Sequence, residues 1–195
     1  MSIASPLTTR SSSPRRPAGA NPANAESERA VDRLLGLAPV FDAQVRVLVL
    51  GSFPGVASLQ AAQYYAHPRN AFWPVMAALL GEPDLPARGY EQRLQTLLRH
   101  HVGVWDAVAS CLREGSLDTA IAESAPSDLP ALLPRLPQLR AIACNGALAH
   151  KETLALVGDP GVPVLRLPST SPAHAGRSLA DKVATWREAL LPHLG

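Results

Sequence analysis

Five of the nine aromatic residues in the chain, Phe53, Tyr64, Tyr65, Phe72 and Trp73, fall within "GSFPGVASLQAAQYYAHPRNAFWPVM" (51–76), around a His67-Pro68-Arg69-Asn70 core. Asn70 there, and Asn145 in "CNGALAH" (144–150), carry side-chain amides that each offer a donor and an acceptor. An amide can orient a water molecule or complement a donor–acceptor pair, but its negligible basicity excludes full proton abstraction. A tyrosine or phenylalanine face nearby would hold a planar group by stacking.

The signatures of commoner chemistries are absent: no GxGxxG, Walker, HExxH or GxSxG sequence occurs. The only cysteines, Cys111 and Cys144, lack metal-ligand spacing, which argues against an iron–sulfur cluster, a zinc site or a disulfide framework. No metal or other cofactor is expected, and a reducing cytoplasm is the natural compartment.

These residues need elements to position them. "VRVLVLGS" (45–52), "LRAIACNG" (139–146) and "VPVLRLPS" (162–169) each read as a buried strand ending in a turn with a polar residue at its lip. A fourth short strand is expected in "HVGVWDA" (101–107). Helices are expected over 26–37, 71–80, 90–100, 107–114, 127–133, 146–157 and 178–191, the last with Ser178 as N-cap. Strands alternating with helices imply an α/β sandwich around a mostly parallel sheet, whose ligands bind outside the carboxyl ends of the strands. The loops after residues 50, 105, 144 and 166 are where a site should form.

A length of 195 residues suits one domain. Residues 1–26, rich in Ser, Pro, Ala, Asn and Arg without an apolar stretch, read as a disordered tail, leaving residues 27–195 for the domain. No apolar run approaches the ~18 residues of a membrane span. Residues 27–195 hold 15 basic and 15 acidic side chains, so overall charge does not advertise nucleic-acid binding.

Taken together, Gly51-Ser52-x-Pro54, Tyr65-Ala66-His67-Pro68-Arg69-Asn70-x-Phe72-Trp73, Gly115-Ser116-Leu117-Asp118 and Asn145-Gly146 resemble the uracil-DNA glycosylase superfamily, over roughly residues 44–192. Ser52 stands where the mismatch-specific branch has a catalytic Asn. The downstream segments 104–121 and 144–150 look like the hypoxanthine (deoxyinosine) DNA glycosylases. The resemblance implies a three-layer α/β/α sandwich around a short, mostly parallel four-stranded sheet. It also implies a monomeric, metal-free enzyme that removes deaminated bases, hypoxanthine foremost and also uracil or xanthine, from DNA.

Such an enzyme extrudes its base from the stack, grips it by edge and face, and breaks the N-glycosidic bond with a positioned water. Asn70 is expected to orient that water, or to cap the helix starting at residue 71, or both. In the resemblance, the catalytic amide has moved from the first-motif turn into the His-Pro-Arg-Asn segment. Tyr65 is expected as the stacking platform, Phe53 as a second wall and Ser52, in the same turn, as a further base-binding residue; Phe72 and Trp73 are expected in the core. Asn145 is expected to read the base edge, because hypoxanthine and uracil each present a carbonyl acceptor beside an N–H donor; the alternative is a helix-capping role. Arg69 and the loop Ser169-Thr170-Ser171-Pro172 are candidates for DNA-backbone contacts. His67 and His174 are auxiliary candidates, although the familiar uracil enzymes have His-Pro-Ser-Pro where His174 here follows the Ser-Pro pair. Asp106 would either contact the base or, as the favoured reading, brace its loop. With only Lys151 and Lys182 in the chain, both in expected surface helices, no Schiff-base lysine is evident. A non-catalytic damaged-DNA or nucleotide-binding module, and an enzyme acting on free nucleosides, remain the alternatives.

Overall fold

A computed structural model describes residues 33–195. The tail and all but the end of the 26–37 helix expectation lie outside these residues; within them, Leu34–Leu35 form a short strand, β1. The main sheet consists of β2 (Val47–Gly51), β3 (Val102–Asp106), β6 (Ala141–Asn145) and β7 (Val164–Leu167), in the order β3-β2-β6-β7. Every pairing in it is parallel.

Strand β2 shows why the sheet is covered on both faces. Val47, Leu48, Val49 and Leu50 are all fully buried. Side chains alternate across a strand, so Val47 and Val49 join one cluster with Phe72, Met76, Trp186 and Leu190, while Leu48 and Leu50 join another with Leu129, Ile142 and Ala149. The first layer is built by α2 (Phe72–Leu80), α3 (Tyr90–Arg99) and α6 (Leu179–Leu194). The second is built by α4 (Leu129–Leu132) and α5 (Ala147–Val157). This is the expected α/β/α sandwich. Ser178 caps α6 through a reciprocal capping box with Asp181.

Besides the strand at Leu34–Leu35, inside the expected 26–37 helix, two features depart from the sequence reading. Residues 107–114 were expected to be helical, yet Val108–Leu112 form a strand, β4, between β1 and β5 (Ala122–Pro126) in a small antiparallel sheet. Ala and Leu give this segment helical propensity, but only Ala107 separates it from β3. The N–H groups of Ala107 and Val108 donate to the Gly51 and Ser52 carbonyls at 2.9 and 3.0 Å, which holds the chain extended. A short helix, α1 (Val56–Ala61), fills the turn after β2 where none was expected.

Candidate active site

A cavity of about 580 Å³ opens at the carboxyl ends of β2, β3 and β6. It is lined by all thirteen residues named above as site candidates, together with Ser116–Thr119 from the loop between β4 and β5.

At the end of β2, Gly51 lets the Asp106 side chain lie against its backbone: a Cβ on Gly51 would stand 2.3 Å from Asp106 Oδ1. Ser52 Oγ donates to Asp118 Oδ1 at 2.6 Å, so this hydroxyl fastens the turn to the 113–121 loop. Ser116 Oγ accepts from Val56 N at 2.9 Å and completes the fastening. Phe53 is 6 % exposed, packs with Val108 and Cys111, and has the Arg113 guanidinium 4.9 Å from its ring centre. It lines the cavity.

Tyr65 has a left-handed backbone (φ 55°), an unusual state for a side-chain-bearing residue. Its ring stacks on Phe72 with centroids 3.7 Å apart and 18° between planes. Phe72 and Trp73 lie in the core beneath, as expected. The Tyr65 hydroxyl is buried without a hydrogen-bond partner among the described residues. Burial and the Asp106 charge push its pKa up, and the Asn145 side chain pulls it down.

Asn70 precedes Ala71, the N-cap of α2, which begins at Phe72 with no side-chain cap. Asn70 Oδ1 accepts from Phe72 N at 3.0 Å at the start of α2, while its own N–H donates to the His67 carbonyl at 2.8 Å. One carbonyl lone pair and the Nδ2 amine remain for a ligand. His67 Nδ1 accepts from Arg69 N at 3.1 Å, so the neutral ring carries its proton on Nε2. Arg69 is exposed at the rim.

Three expectations need correction. The first concerns Asn145, whose Nδ2 donates to Thr170 Oγ1 and whose Oδ1 accepts from Thr170 N, both at 2.9 Å. Thr170 thereby occupies the one edge on which an amide can form two parallel hydrogen bonds, so Asn145 cannot grip a base edge in the expected two-bond way. Thr170 is the second: at 1 % exposed, with its carbonyl accepting from Ala71 N at 2.9 Å, it ties the loop to β6 and α2 and does not offer its hydroxyl to a DNA backbone. Ser169 and Ser171 turn inward within the loop, their hydroxyls accepting from Ser171 N and Ala173 N, while Pro172 and the exposed His174 form its rim.

The third is Asp106. The favoured bracing role requires a hydrogen bond, and its carboxylate makes none among the described residues; Oδ2 is buried and unpartnered. The residue is 4 % exposed. Burial raises its pKa to about 7, with Arg113 pulling down and Asp118 pushing up. A buried, unpaired acid in a cleft is a functional signature. In the sequence, "VWDA" at a strand end is the signal for it. The 113–121 segment resembles the hypoxanthine enzymes, but nothing in its residue types announces that it folds onto the Gly51–Gly55 turn. Among the described residues, no group of three or more His, Cys, Asp or Glu could hold a metal ion.

Fold and cavity together define an α/β/α protein with a nucleotide-sized cleft at the carboxyl edge of a parallel sheet. Residues 38–194 match the model of the uracil DNA glycosylase superfamily. The chain is 35 % identical over 154 residues to the hypoxanthine DNA glycosylase of Methanosarcina barkeri (strain Fusaro / DSM 804), spanning 79 % of this chain and 96 % of that protein. The Methanosarcina acetivorans protein of the same name is 35 % identical over 158 residues, 81 % of this chain and 98 % of its own. A solution NMR structure from M. acetivorans, described as that of a candidate uracil DNA glycosylase, superposes with a TM-score of 0.70 at 33 % identity, covering 80 % and 98 % of the two chains. The chain belongs to the uracil DNA glycosylase superfamily.

Proposed function

We propose that this protein is a monofunctional DNA glycosylase that excises deaminated bases, hypoxanthine foremost, acting in the cytoplasm as a single copy. The observation that carries this reading is the convergence of Asn70, Tyr65 and the unpaired Asp106 on one cavity of a superfamily member. Both cysteines are unpaired thiols, as a reducing compartment allows.

The extruded base stacks beside Tyr65, whose ring Phe72 backs, and Phe53 closes the pocket. Asn70 orients a water toward C1′ of the sugar. The C1′–N bond breaks with its electron pair going to the base, the water oxygen bonds C1′, and the water's proton passes to solvent or to the departing base. Base and abasic DNA are the products. Asn70 does not take the proton; the sugar's positive charge in the transition state makes a weakly activated water sufficient. Negative charge on the leaving base meets the His67 Nε2–H, the remaining Asn145 N–H and Asp106, which in its neutral form donates a hydrogen bond to the base carbonyl. Neither lysine suits Schiff-base chemistry: Lys151 is exposed on α5, and Lys182 Nζ donates to the His174 carbonyl at 3.0 Å. Arg69 and the rim of the loop at Pro172 and His174 follow the DNA backbone.

The test is single-turnover release of base from oligonucleotides carrying inosine, uracil or xanthine. Asn70→Ala should slow release by about 100-fold or more. Wild-type-like release by this variant removes Asn70 from the mechanism, and tight binding without any abasic product in the native protein replaces an enzyme with a binding module.

A further inference from the structure

Beside the base cavity lies a second depression, of about 510 Å³, which shares Ser169 and His174 with it. Arg166 of β7, Arg177 from the turn before α6 and Lys182 of α6 line it, with the Gly146–Ala147 backbone at the start of α5. Among the described residues, no aspartate or glutamate does.

This concentration of positive charge lies in a domain whose total charge balances, with 15 basic against 15 acidic side chains in residues 27–195. Arg88 is paired with Glu82 and Asp84, Arg33 with Glu123 and Arg99 with Glu82. Arg166 and Arg177 are exposed, and among the described residues neither forms an ion pair or a side-chain hydrogen bond. Lys182 is only 5 % exposed, yet its three donors find one protein acceptor, the His174 carbonyl. An ammonium sunk beneath two unpaired guanidiniums, at a helix start that no side chain caps, is an arrangement completed by an anion.

We infer that this groove seats a backbone phosphodiester of the same DNA strand whose nucleotide enters the base cavity. The inference rests on the glycosylase reading. DNA rather than a free phosphate is the occupant because the groove and the base cavity meet at Ser169 and His174, so one strand can run through both. Two arginines and a lysine holding a phosphate fix register without reading sequence.

The test is anisotropy binding of the full chain to inosine-containing and undamaged oligonucleotides across a salt series, with kcat and KM for base release. Arg166→Ala/Arg177→Ala should weaken both DNAs equally and lower the slope of log K against log salt by about two. The loss should fall on KM, with kcat kept within about threefold. Arg166→Glu/Arg177→Glu should weaken binding further. Unchanged affinity and slope overturn the inference while native base release leaves the glycosylase reading standing. Native DNA binding that loses two charges' worth of slope, in a protein that releases no base, supports the groove and ends the enzyme. Competition by inorganic phosphate with DNA affinity unaltered in the variants assigns the groove to free phosphate and overturns the inference.

Discussion

The two walls of the base cavity are built on opposite principles. On the β6 side, Asn145, Thr170, Ser169 and Ser171 hydrogen-bond to one another and to the backbone, so the loop is rigid before any ligand arrives. On the β3 side, Asp106 Oδ2 and the Tyr65 hydroxyl are buried with no partner among the described residues. Buried polar groups are normally satisfied, and leaving them unmade costs stability. The difference teaches that the loop wall is scaffold, while the β3 wall is held ready for polar atoms brought by a substrate.

The largest break in this contrast should come from Asp106→Asn. Asp106 has a folded pKa of about 7 against an ordinary 3.8. Below the ordinary value the group is neutral in both states and stability is full. As pH rises, the unfolded chain loses its proton first, so stability declines until the folded carboxyl also ionises near 7. The amide abolishes that decline and should gain about 2–4 kcal/mol at pH 8, with no gain at pH 3. Urea midpoints across pH measure it, and a gain independent of pH contradicts the buried-acid assignment. Base release by the native protein should fall as pH rises through 7, whereas the variant's profile stays flat there. Release that instead increases through 7 assigns Asp106 as a base.

Gly51→Ala places a methyl group against the Asp106 carboxylate and should slow base release about 100-fold. Native rates in that variant dismiss the position of the carboxylate as relevant. Asn145→Ala removes both ties to Thr170 and should cost about 1–3 kcal/mol, with faster amide exchange at Thr170. A stability loss without faster exchange would deny that the amide is what holds the loop. The smallest effect is Ser52→Ala, about 1 kcal/mol from one part-buried hydrogen bond to Asp118. Denaturant midpoints suffice there, and an unchanged one shows the 113–121 loop to be held elsewhere.

Much of the architecture was legible because it rests on local pattern. The strand of Val47–Leu50, the helix from Phe72 and the capped helix after Ser178 follow from apolar runs, helical spacing and a serine cap. Val108–Leu112 was not legible, since its extended state depends on the carbonyls of Gly51 and Ser52, 57 and 56 residues earlier in the chain.

For the site, the residues singled out in the sequence by type and by resemblance, the amides, the aromatic turn and the Ser-Thr-Pro loop, all line the cavity. Which of them are free to act was decided only by tertiary structure. Asn145 and Asp106 end the two strands that flank β2 in one sheet, yet Thr170 satisfies the first and nothing among the described residues satisfies the second. Composition fixes what hydrogen bonds a side chain is able to make, but its spare capacity depends on what distant segments bring within 3 Å.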